Sequence, residues 1–192
     1  TTATSNSIVT TVNANLTPTV SVVSDASGNT ICAGMQVIFT ATAGSTGGGT
    51  VTYDFKVNGT SVQSGSSNIY TTTALVNQDA VTVDISVAGG VCLTTTTATS
   101  NSIVTTVNAN LTPTVSVVSD APGNTICAGT SVTFTATANN TGGGTVTYDF
   151  KINGASVQNG SSNTYTATAL VNQDAVTVDI SVAGGVCLTT TT

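Results

Sequence analysis

The chain has 192 residues, 39% hydrophobic and only 5% charged, with eight aspartates, two lysines (Lys56 and Lys151) and a formal net charge of −6. It holds no histidine, glutamate or arginine, so a Ser-His-Asp or Cys-His nucleophile lacks its base, and no basic stripe is available for a nucleic-acid backbone or an anionic membrane surface. No apolar run approaches the ~20 residues that cross a bilayer, and no leader-like segment opens the chain, which reads as the interior of a mature polypeptide.

Threonine, valine, serine, asparagine and glycine dominate what remains. β-Branched residues suit a pleated, half-buried surface, so an all-β protein is predicted. In chain order, residues 7–12 (SIVTTV) and Thr19–Ser24 (TVSVVS) read as strands. Residues 36–43 (QVIFTATA) follow, with Val37, Phe39 and Ala41 on one face, and then a TGGG turn at 46–49. Thr50–Val57 (TVTYDFKV) turns Val51, Tyr53, Phe55 and Val57 inward and Asp54 and Lys56 outward. The Asn58-Gly59 pair signals a tight turn into a short strand at 61–63. Residues 68–75, 80–87 and 102–107 complete the series, about seven short strands in all. That pattern is the signature of an immunoglobulin-like sandwich.

The sequence then starts again. Residues 96–190 repeat residues 1–95 with 84 of 95 positions identical, as expected of a piece of a longer tandem array. The phase of the repeat matters. The strand at 102–107 completes the domain that begins near Thr17, so residues 17–111 read as one whole repeat. Residues 112–192 read as a repeat lacking its last strand, and residues 1–16 as the final strand of a preceding one. Ser5, Asn6, Ser7, Ile8, Val9, Thr10, Thr11 and Val12 are thus predicted to fill the second domain of a neighbouring copy, or of the next stretch of one continuous chain. Either way the identical repeats join head to tail.

The ordered motifs ICAGMQVIFTATA, VTYDFKVNGTSV, ALVNQDAVTVDISVAGGVC and TATSNSIVTTVN resemble the PKD-like or Ig-like repeats of giant cell-surface proteins of Bacteroidota, gliding adhesins of the SprB type among them. The resemblance covers the whole chain, twice. It implies export to the bacterial cell surface and a mechanical or adhesive role. It also implies a core anchor at Phe55 and Phe150, where such repeats often carry tryptophan.

Candidate chemistry is sparse. Asp54 with Asp84, and Asp149 with Asp179, are the available carboxylate pairs, but outward strand positions with Lys56 across from Asp84 are the plainer reading. No DxDxDG-like run offers a calcium loop, and the 108–114 junction (NANLTPT) has no carboxylate; Pro18 and Pro113 suggest linkers stiffened by lost backbone freedom instead. The triple glycines at 47–49 and 142–144 open no helix and cradle no phosphate. No cofactor is expected. The cysteines are more informative. Cys32, Cys92, Cys127 and Cys187 lack metal-ligand spacing, and an even count in an exported protein reads as disulfides. Strand order sets Cys32 and Cys92 at opposite poles of one sandwich. An inter-domain bridge from Cys32 to Cys187 is therefore expected, with Cys92 and Cys127 left for neighbouring repeats or copies; bridges Cys32–Cys92 and Cys127–Cys187, or free thiols, are the alternatives. Three functions follow in order: a structural shaft of a surface fibre or stalk, a binder of surface glycans, and an enzyme, which the missing residue types argue against.

Overall fold

The computed structural model describes residues 1–189 and divides the chain into two compact units, Thr1–Asn108 and Ala109–Thr192. The first unit contains β1 (Thr19–Ser24), β2 (Thr30–Cys32), β3 (Val37–Gly44), β4 (Thr50–Val57), β5 (Thr60–Gly65), β6 (Ile69–Thr72), β7 (Ala80–Ala88), β8 (Thr97–Thr99), β9 (Ile103–Val104) and β10 (Thr106–Asn108). One sheet has the order β1-β3-β6. The other has the order β5-β4-β7-β8, with β9 also paired to β7, while β10 lies parallel to β2. This is an immunoglobulin-like sandwich.

Alternation along the strands builds its core. On β7 the residues Val81, Val83, Ile85 and Val87 are all buried, each stabilising the fold by about 1.5–3 kcal/mol relative to exposure. On β3 the buried set is Val37, Phe39 and Ala41, the predicted inward face. Phe39 and Phe55 come from opposite sheets and are fully buried; the Tyr70 ring lies 6.2 Å from the first and 5.6 Å from the second. Between β4 and β5 the chain turns through Asn58 (φ 51°) and Gly59 (φ 80°). A two-residue hairpin with positive φ at both centres matches the twist of its strands.

The second unit contains β11 (Thr114–Ser119), β12 (Val132–Asn139), β13 (Thr145–Ile152), β14 (Ala155–Gly160), β15 (Thr164–Ala167) and β16 (Val176–Ala183). Its sheets are β11-β12-β15 and β14-β13-β16, with pairing registers that repeat those of the first unit. Among the described residues it has no counterpart of β2, β8, β9 or β10.

The strands differ from the expected ones in four places. The predicted strand 68–75 shortens to β6. The predicted strand 102–107 breaks at Thr105, whose backbone pairs instead with the 78–79 turn: Thr105 N–H donates to the Asp79 carbonyl and Gln78 N–H to the Thr105 carbonyl, both at 2.9 Å. The short β2 and β8 were not expected. Residues 1–15 are exposed and lie in no strand, and Leu16 forms a single bridge to Leu93.

Candidate functional site

The most distinctive place in the molecule is a groove in the second unit, and the first unit shows what it lacks. There, the segment from β8 to β10 closes the sandwich. Ile103 and Thr105 are 7% and 1% exposed. The Asn101 side chain grips the backbone of β1, accepting from Val22 N–H and donating to the Val22 carbonyl, each at 3.0 Å. Ser100 Oγ accepts from Val83 N–H at 2.8 Å, and Asn77 Oδ1 accepts from Val107 N–H at 3.1 Å. In the parallel pair of β10 with β2, Val107 lies beside Ile31 and Asn108 beside Cys32.

The second unit presents the same surroundings without that segment. A cavity of about 990 Å³ lies among Val117, Ile126, Val132, Phe134, Leu170 and Val176. Val22, Phe39, Leu75 and Val81 are buried in the first unit, whereas their counterparts Val117, Phe134, Leu170 and Val176 are only half-buried. The sequence is unchanged at all four positions, so the missing cover accounts for the difference. Ser5, Asn6, Ser7, Ile8, Val9, Thr10, Thr11 and Val12 are exposed and in no strand, with Ile8, Val9 and Val12 at 85%, 90% and 88% exposure.

The cysteines fall as follows. Cys32 ends β2 and is half-buried. Cys92 and Cys127 are exposed free thiols, and Cys127 borders the groove. Cys187 lies in the loop after β16 with φ 55°. Within the first unit, Cys32 sits where β10 and the Asn77 turn meet, at the pole where β7 begins. Cys92 lies just past the end of β7, its carbonyl accepting from Leu16 N–H at 2.7 Å. The nine residues of β7 span about 30 Å, whereas a disulfide needs Cα atoms about 4.4–6.8 Å apart. These two cysteines cannot bridge each other.

The carboxylates form a lysine-centred cluster. Asp54 is directly opposite Asp84 on β4 and β7, and Lys56 is opposite Thr82. Lys56 therefore reaches Asp84 diagonally across the strands, at 2.6 Å, while lying 3.6 Å from Asp54. One ammonium thus relieves two facing carboxylates. The hydrogen bond from Lys56, followed by that from Thr99, holds the Asp84 carboxyl below its ordinary range, and Asp84 raises Lys56 in turn. Lys151, Asp149 and Asp179 repeat the arrangement. Among the described residues, no group of three or more His, Cys, Asp or Glu side chains converges as a metal site. Gly47 packs against the segment that follows β7: a Cβ there would meet the Val91 carbonyl oxygen at 2.3 Å, which is a structural reason for that glycine.

Among solved structures, the chain is similar to the fibronectin(III)-like modules of Clostridium thermocellum CbhA, at 18% identity and a TM-score of 0.41, over 87% of each chain. It is also similar to the three N-terminal domains of the highly immunogenic outer capsid protein (Hoc) of bacteriophage RB49, at 15% identity and a TM-score of 0.40, over 87% of this chain and 55% of that one. No curated protein matches it. Residues 113–184 match the family model of a bacterial Ig domain, Big_7. The repeat is immunoglobulin-like by sequence as well as by fold.

Proposed function

We propose that these repeats form the shaft of an extracellular surface fibre or adhesin stalk, a structural element that holds other domains away from the cell. The observation that carries this reading is that, among the described residues, the aromatic side chains are taken up by the two cores. All four tyrosines, Tyr53, Tyr70, Tyr148 and Tyr165, pack against the two cores, which leaves no exposed aromatic platform for a sugar ring. In each lysine–aspartate cluster the one ammonium is taken up by the two carboxylates beside it. Immunogold electron microscopy of source cells, with antibody against the repeat, should label the length of surface filaments. Label confined to filament tips or to the cell interior would overturn the reading.

Disulfides stiffen this shaft in the proposal, with Cys32 bonded to Cys187 and with Cys92 and Cys127 reserved for neighbouring copies. The pole-to-pole separation of Cys32 and Cys92 supports it. The test is convenient, because cleavage after the two lysines yields fragments 1–56, 57–151 and 152–192. Under non-reducing conditions the first and third fragments should run linked. Linkage of the middle fragment to both of the others within one chain would contradict the pairing.

A further inference from the structure

We propose that the first unit is built to carry tension along its length, with the side chain of Asn101 as the tie that passes the load between its first strand and its closing segment. This role rests on the shaft reading and goes further, since a shaft can be a spacer that never bears a pull. Filaments labelled along their length would stand even if the unit yielded under load.

The two ends of the unit are held at opposite poles. On the way in, Leu16 N–H donates to the Cys92 carbonyl at 2.7 Å and Thr94 N–H to the Leu16 carbonyl at 2.8 Å, while the Thr17 and Thr94 hydroxyls lie 2.7 Å apart. These partners follow the end of β7. On the way out, Ala33 N–H donates to the Asn108 carbonyl at 2.9 Å, and Val107 N–H to Asn77 Oδ1. β10 lies past the start of β7, because β9 is paired with Ala80 and Val81. A line from Leu16 to Asn108 therefore runs along the strands. β1 starts at the entry pole, with Thr19 opposite Gly44 at the end of β3. A pull on the two ends slides β1 towards one pole and residues 97–108 towards the other. Antiparallel ladder bonds lie across the strands, so this pull loads a whole ladder at once, whereas a pull across a sheet opens its bonds one after another.

Two neighbouring residues at mid-length connect the sliding parts. Ser100 N–H donates to the Val83 carbonyl at 2.9 Å and Ser100 Oγ accepts from Val83 N–H at 2.8 Å, which fixes the segment to β7. Asn101 takes both backbone groups of Val22 at 3.0 Å, which fixes it to β1. The first strand and the closing segment are thus tied directly, and β1 cannot slide without breaking both Asn101 bonds. Val22 is 2% exposed, which keeps competing water from those bonds.

Constant-force stretching of single molecules tests this. Handles go on Asn13→Cys and Ala109→Cys in the 192-residue chain with its four native cysteines replaced by serine, and circular dichroism checks the fold of each variant. Asn101→Ala should shorten the lifetime of the first unit under this lengthwise pull by about tenfold or more, because two hydrogen bonds are lost from the loaded path. Phe55→Leu loosens the core on a strand off the pulled line. It should weaken the unit in denaturant yet change that lifetime by no more than about twofold. A third comparison leaves Asn101 intact: with the handles moved to Ser64→Cys and Thr97→Cys, on β5 and β8 at opposite ends of one sheet, the unit should open at a lower force. An unchanged lifetime for Asn101→Ala, equal shortening by the two variants, or a crosswise pull resisted as long as the lengthwise one would each overturn the proposal.

Discussion

Asp84 and Lys56 show how this chain uses its few charges. Asp84 has its carboxyl held low by Lys56 and Thr99, so the stabilisation is complete above the unfolded value near 4 and is lost as pH falls through the lower folded value. Lys56 has its ammonium held high by Asp84, so its share is complete below about 10.4 and is lost as pH rises through the folded value. Thermal unfolding followed by circular dichroism should give a midpoint that is flat from about pH 5 to 9 and declines outside that window. Asp84→Asn should flatten the acid limb. The fully buried Phe55 acts through volume and not charge: Phe55→Ala should destabilise the first unit by about 3–5 kcal/mol in denaturant titration, while Phe55→Leu should cost less.

At the scale of elements, one strand decides the difference between the two units. Asn101→Ala would leave the buried Val22 amide and carbonyl without partners, and should destabilise the first unit by about 1–3 kcal/mol. The same effect exists naturally in the second unit. β1 and β11 have the identical sequence TVSVVS, so their amides share one intrinsic exchange rate. In the 192-residue chain, hydrogen exchange should be faster in β11 than in β1; peptides that extend to Ser27 or Pro122 distinguish the copies. Equal protection would mean that the closing segment adds nothing to its sheet. Most strands were legible because alternation and turn chemistry act locally: Thr50–Val57 announces itself by Val51, Tyr53 and Phe55, and its end by Asn58-Gly59. β2 and β8 were not. β2 is three residues made into a strand by a partner far along the chain, and β8 lies in a threonine run with no alternation to mark a face. Nor could spacing alone reveal the break at Thr105, which the 78–79 turn imposes through its two backbone hydrogen bonds.

For the whole molecule, near-identical sequence does not mean equal stability. The first unit has twelve residues in its buried cluster and the second has three. Calorimetry of the 192-residue chain should therefore show two transitions, the lower one belonging to the second unit, and a single cooperative transition would contradict the division.

The placement of the two lysines decides how the chain meets a trypsin-like protease. With no arginine, proteases that cut after basic residues have two targets in the 192-residue chain, Lys56 and Lys151. Each lies in a strand hydrogen-bonded on both sides, β4 between β5 and β7 and β13 between β14 and β16, and each ammonium is held by an aspartate. A trypsin-like enzyme needs several residues of extended, unpaired chain, so it can act only when a central strand leaves its sheet, and digestion tracks that opening. Limited trypsinolysis should begin at Lys151 in the looser unit and reach Lys56 much later.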